Sequence, residues 1–159
     1  MTIEAIIRNA YDESNKGVRT GDSLHEVEEI RSYIRSAESI IVPNWNDKKI
    51  MVINSVLEEF GIHPATHLQV PTSAVDLTPM PAIFKARMAL DSTESDLVIA
   101  RGRLGVPGSG SMLVIMDKKG RILSAALSSP HILHHKSVEE AVHDEITTAL
   151  LRLGFERVA

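Results

Sequence analysis

Short apolar runs alternate with stretches of helical periodicity along this chain, and that alternation limits the fold more than any other feature. Ser39 to Val42, His67 to Val70 and Leu97 to Ala100 have the length and character of buried strands. Between the first two, Asp47 to Phe60 carries Ile50, Ile53, Leu57 and Phe60 at helical spacing, and Gly61 stands where a left-handed C-cap belongs. Pro81 suits the first position of the next helix, which Ala82 to Leu90 continues. Met112 to Met116 and Ile122 to Leu127 flank the turn Asp117-Lys118-Lys119-Gly120 and read as an antiparallel hairpin. Two amphipathic helices open the chain. The first carries Ile3, Ile6, Ile7 and Ala10, and the second, capped by Asp22 or Ser23, carries Leu24, Val27, Ile30 and Ile34. A last helix starts at Ser137, with Glu140 completing a capping box. The order α-α-β-α-β-α-β-β-β-α predicts an α/β protein: one domain, with a mixed central sheet flanked by helices. A length of 159 residues suits a single domain.

Composition excludes several classes of function. No cysteine is present, so disulfides, thiolate metal sites and a cysteine nucleophile are ruled out. A net charge of −4 argues against a nucleic-acid polymer as partner. Aromatics at 4% do not supply a base-stacking platform. The uncharged run from Leu104 to Met116 is too short to span a bilayer and is interrupted by Pro107 and glycines. Charges alternate soon after Met1 to Ile7, so no leader is expected, and the expected location is the cytoplasm with no membrane partner.

Three segments have the residue types for chemistry. In the first, Val42-Pro43-Asn44-Trp45-Asn46-Asp47-Lys48-Lys49, a strand ends and a helix begins. Ligands of open α/β sheets bind beyond such strand ends, and the new helix presents free N–H groups to an anion. Asn44 and Asn46 can add amide donors, and Lys48 or Lys49 a point charge for phosphate. The same turn also reads as a capped helix with surface lysines. In the second, Arg101 and Arg103 precede Gly105, Gly108, Ser109, Gly110 and Ser111. Arginine forks suit phosphate or carboxylate, and glycine lets backbone N–H groups approach a ligand. No helix follows, so this is neither a Walker loop nor a dinucleotide fingerprint, and a flexible hairpin loop is the alternative. The third, His131, His134 and His135, matches no common zinc spacing and reads better as a polar loop. Thr72, Ser73 and Asp76 follow the second strand and share the sheet edge of the first two segments if the strands are parallel.

Two resemblances add to this reading. Asn46-x-x-Lys49, Ala82-Ile83-Phe84-Lys85-Ala86-Arg87 and Gly105-x-Pro107-Gly108-x-x-Ser111 are distantly similar to successive motifs of the inosine triphosphate pyrophosphatase fold. Where those enzymes carry the carboxylates that hold magnesium and activate water, this chain has Met80 and the pair Ala100-Arg101. The departure implies a nucleotide pocket kept and hydrolysis lost. The second resemblance covers nearly the whole chain. The segment from Asp96 to Asp117, with Val42-Pro43-Asn44 and Ala89-Leu90-Asp91, resembles a methanogen family: the guanylyltransferases of iron-guanylylpyridinol cofactor biosynthesis, which serve the iron-only hydrogenase.

That resemblance implies transfer of GMP from GTP to the 4-hydroxyl of a pyridinol, with release of pyrophosphate, by a homodimer of pyrophosphatase-like fold. For that reaction the residues themselves suggest the triphosphate over Asn44, Asn46, Lys48 and Lys49, with Lys49 and Arg101 as the expected catalytic residues. Arg101 and Arg103 would hold a phosphate or the acceptor's carboxylate. Thr72 and the loop Gly105, Gly108, Ser109, Gly110 and Ser111 would complete the binding surface. Magnesium is the expected metal, with Asp76 and Asp96 as candidate ligands. The competing readings are a nucleoside triphosphate pyrophosphatase and a nucleotide-binding protein without turnover.

Overall fold

A computed structural model describes residues 2–158. It is a single-domain α/β protein built on a five-stranded mixed sheet in the order β2-β1-β3-β4-β5. β1 (Ile40–Asn44) lies parallel to both β2 (Thr66–Gln69) and β3 (Leu97–Arg103). β4 (Ser111–Asp117) runs antiparallel to β3 and to β5 (Ile122–Ser128). The C-terminal ends of β1, β2, β3 and β5 therefore gather at one edge of the sheet with the start of β4.

Local chemistry sets the helix boundaries. Thr2 caps α1 (Ile3–Asn15), its hydroxyl accepting from the Ala5 N–H at 3.1 Å. Ser23, rather than Asp22, caps α2 (Leu24–Ser36) in a reciprocal box with Glu26. Asn46 caps α3 (Asp47–Glu59), and Gly61 follows it with φ +68. Pro81 opens α4 (Pro81–Ser92). Two short elements were not expected from the sequence: a 3-10 helix at Ser73–Leu77 and the one-turn helix α5 (His131–His134). α6 (Val138–Leu151) starts on the Ser137–Glu140 box.

Alternation along β3 assigns the two faces. Leu97 and Ile99 pack with Leu113 and Ile115 of β4 against α3 and α6, through Ile53, Val56, Val142 and Ile146. Val98 and Ala100 point the other way, with Val114 and Met116, onto Ala86 and Ala89 of α4. At Gly102 the approach of α4 is so close that a Cβ would lie 3.1 Å from the Ala82 backbone. Arg101 and Arg103, expected in a loop, extend β3 to its end. The hairpin behind them holds itself together: Ser109 Oγ accepts from Gly105 N–H at 3.0 Å and donates to the Val106 carbonyl at 2.6 Å.

Gly110 has φ +90, and a Cβ there would stand 2.2 Å from the Ser128 carbonyl oxygen. Both the backbone and the space demand glycine. Gly110→Ala is expected to lower stability by roughly 2–5 kcal/mol, combining positive-φ strain with overpacking. Urea unfolding followed by circular dichroism measures this; an unchanged midpoint would show that the hairpin relaxes at no cost.

Candidate active site

The gathered strand ends open into a cleft of about 660 Å³. α3 contributes Lys49 from one face of the sheet and α4 contributes Lys85 from the other. β3 supplies Arg101 and Arg103, and β4 supplies Ser111. Trp45 follows β1, while Thr72, Ser73 and Asp76 come from the segment after β2. Parallel pairing of β1 with β2 and β3 is what brings these separate stretches to one place.

The Arg101 side chain makes three hydrogen bonds. Its Nε donates to Glu145 Oε1 at 2.7 Å, and its Nη2 donates to Ser111 Oγ at 3.0 Å and Glu145 Oε2 at 3.3 Å. Ser111 Oγ donates to Glu145 Oε2 at 2.6 Å, and Ser128 Oγ is a further donor to that oxygen. Glu145, on α6, is 1% exposed. Burying a carboxylate so far from water is costly unless such a set of donors surrounds it.

Lys85 reaches the same residue from the opposite face, its Nζ donating to the Arg101 carbonyl at 2.6 Å. Burial, reinforced by the neighbouring charge of Lys49, pushes its pKa down to about 8. Burial also lowers Lys49, with Arg101 adding to the effect. The cleft is thus a concentration of positive charge that an anion would relieve. Arg103 lies nearer the rim and pairs with Asp76 at 3.3 Å.

Other expected residues have different places. Asn46 uses its side chain to accept from the Lys48 N–H at 2.8 Å, capping α3, and Lys48 is exposed outside the cleft. Asn44 is buried at the end of β1; its Oδ1 has no partner among the described residues, and its carbonyl accepts from His67 Nε2 at 2.8 Å. Of the glycine-rich segment, Ser111 lines the cleft, whereas Gly105, Gly108, Ser109 and Gly110 form the hairpin beside it. Asp96 stands at the opposite end of β3, where its Oδ2 accepts from the N–H groups of Glu38 and Ser39, both at 3.1 Å. It fastens the α2–β1 junction and is not a ligand in this cleft. Asp76 is the one carboxylate lining the cleft among the described residues, and Arg103 already neutralises it. No cluster of three or more histidine, aspartate or glutamate residues suited to a metal occurs among them. This donor set does not make a resident magnesium site. His131 and His134 stack edge-to-face within α5 at 5.1 Å.

Two charged residues of this site were missed from the sequence, although each carried a signal. Lys85 lies on the stripe Ala82, Ala86, Ala89, and Glu145 on the stripe Val142, Ile146, Ala149. A charged residue on the apolar face of a helix needs a partner or a function.

With the fold and cleft in place, comparison with known families gives a direct result. The chain matches the model of the FeGP cofactor biosynthesis protein HcgB, guanylyltransferase, over residues 3–155. The chain belongs to this family and is a guanylyltransferase of FeGP cofactor biosynthesis. Its substrate is accordingly a nucleotide. Among the described residues no helix is long and apolar enough to cross a membrane.

The lowered Lys85 makes a signed prediction. A polyanion favours the ammonium form, so binding raises the Lys85 pKa above its value of about 8 in the open cleft. Affinity for inorganic tripolyphosphate is therefore fully supported below that pH and declines as pH rises through it, by up to about tenfold per unit. Calorimetry on the protein and on Lys85→Met at pH 7 to 10 tests this, the ratio of affinities cancelling the ligand's own ionisation. A ratio that stays constant across this range rules out the assigned role of Lys85.

Proposed function

We propose that the cleft binds the triphosphate of GTP and transfers GMP to the 4-hydroxyl of a pyridinol, giving guanylylpyridinol and pyrophosphate. The observation that carries this reading is the convergence of Lys49, Lys85 and Arg101 on the strand ends of a guanylyltransferase. The acceptor oxygen bonds to the α-phosphorus while the bond to the departing pyrophosphate oxygen breaks, and the hydroxyl proton passes to water. Phosphoryl-type transfer of this kind depends on positioning and charge neutralisation. Lys49 and Lys85, one from each face of the sheet, hold the phosphates, and Arg101 stabilises the charge that accumulates during transfer. The rigid Glu145–Ser111–Ser128 support keeps that guanidinium in place before substrate arrives. A hydroxypyridine is more acidic than an alkyl alcohol, so a strong general base is not required.

Magnesium enters this proposal with the nucleotide. It would be held by phosphate oxygens and water and would offset part of the triphosphate charge. A homodimer is also part of the proposal.

The deciding assay mixes the protein with GTP, magnesium and the pyridinol, and follows pyrophosphate and the guanylylated product by mass. Product is expected with pyridinol present, and no GMP release in its absence; GMP formed from water alone would indicate a pyrophosphatase. Lys49→Ala and Arg101→Ala are each expected to reduce turnover at least 100-fold, an order-of-magnitude estimate for lost transition-state charge stabilisation, while circular dichroism stays native. Near-normal turnover in both variants contradicts the site.

A further inference from the structure

We propose that His67 is a positioning residue for this cleft: as an imidazolium it fastens both ends of the turn that carries Trp45 and leads to Lys49. The inference rests on the reading of the cleft as a triphosphate site and adds a proton-dependent support behind it.

The turn runs from Asn44, the last residue of β1, to Asp47, the first residue of α3. Trp45 within the turn and Lys49 just beyond it both line the cleft. His67 lies on β2 opposite Val42 of β1, and one ring reaches both ends of the turn. Its Nε2 stands 2.8 Å from the Asn44 carbonyl oxygen, and its Nδ1 stands 3.2 Å from Asp47 Oδ1. The His67 side chain is 17% exposed and that of Asp47 is 75% exposed, so the carbonyl contact is shielded and the carboxylate contact faces water.

Counting donors shows which form of the ring makes both contacts. A carbonyl oxygen and an ionised carboxylate only accept. Neutral imidazole has a single N–H and can satisfy one of them, whereas imidazolium has two and satisfies both. When the ring is neutral, the shielded carbonyl keeps the N–H, because leaving it unpaired costs more than returning an exposed carboxylate to water. The Nδ1 lone pair then faces Asp47, and the start of α3 is released from β2. Lys49 sits on that first turn, so its ammonium is less well placed for phosphate. The elements packed against β2 are β1 and α3. β1 has no charged residue. α3 brings Asp47 to the ring, while Lys48 is exposed outside the cleft, Lys49 lines the cleft, and Glu58 and Glu59 stand at the far end of the helix.

The test uses the intact chain. Heteronuclear NMR of the imidazole follows His67 from about pH 5 to 8, the range in which histidines change charge. Asp47→Ala, at an exposed position, is expected to make His67 lose its second proton about half a pH unit lower, the scale of one exposed ion pair. Emission from Trp45, the chain's one tryptophan, is expected to change in step with His67 and to lose that step in His67→Gln. Calorimetry with inorganic tripolyphosphate gives the functional readout. The ratio of wild-type affinity to that of His67→Gln should fall by up to about fivefold as pH rises through the His67 titration, the ionisation of the ligand and of Lys85 cancelling. A histidine with a structural role alone leaves this ratio constant. An unmoved titration in Asp47→Ala, or tripolyphosphate binding with a constant ratio, overturns the role of His67 and leaves the triphosphate site standing. Failure of tripolyphosphate to bind the wild type overturns the reading of the cleft and this role together.

Discussion

Glu145 projects from α6 into the sheet with almost no exposure to water, and the cleft end of the molecule is organised around satisfying it. A buried carboxylate is costly unless donors surround it, and here they come from three neighbouring strands: Arg101 on β3, Ser111 on β4 and Ser128 on β5. Removing any one of them would leave a charge partly uncompensated. The result is a fixed guanidinium at a sheet edge. Arg101 then acts on the other layer as well, since its backbone carbonyl receives Lys85 from α4. One residue thus connects the helices on both faces, its side chain toward α6 and its carbonyl toward α4.

Topology explains why the cleft lies where it does. β1 leads through α3 to β2 on one side, and β2 leads through α4 to β3 on the other. The helices take opposite faces of the sheet, so Lys49 and Lys85 approach the end of β1 from opposite sides. Beyond β3 the chain turns back at once into the antiparallel β4. That change from parallel to antiparallel keeps the site open: a hairpin, rather than another crossover helix, borders it. Burial, and after it the neighbouring charge of Lys49, lowers the pKa of Lys85 in this crowded site. Such a site is destabilised until an anion fills it, which suits one that binds and releases polyphosphate.

The sheet and its helices were legible in the sequence because they rest on local rules. Periodicity placed all five strands and the main helices within a few residues, and Asn46, Pro81, Gly61 and Ser137 marked their ends. Parallel pairing could be anticipated from the crossovers, and with it the meeting of Lys49, Thr72, Arg101 and Arg103. What local rules do not carry is the direction in which a side chain is finally used. Asn46 is spent on a helix cap. Asp96 binds backbone N–H groups at the far edge. The glycines shape a hairpin, where Gly110 admits the Ser128 carbonyl. Conversely, Lys85 and Glu145 stand within apolar stripes, and their importance emerges only when the two helices pack on opposite sides of Arg101.

The central claim is that guanylyl transfer occurs over Arg101, between the lysines of α3 and α4. The most direct test is a crystal structure of the protein after incubation with GTP, magnesium and the pyridinol. The account predicts guanylylpyridinol in this cleft, with its phosphate within hydrogen-bonding distance of Arg101 or one of the two lysines. Product bound elsewhere, whether on the Gly105–Gly110 hairpin or at the opposite end of the sheet near Asp96, would contradict it.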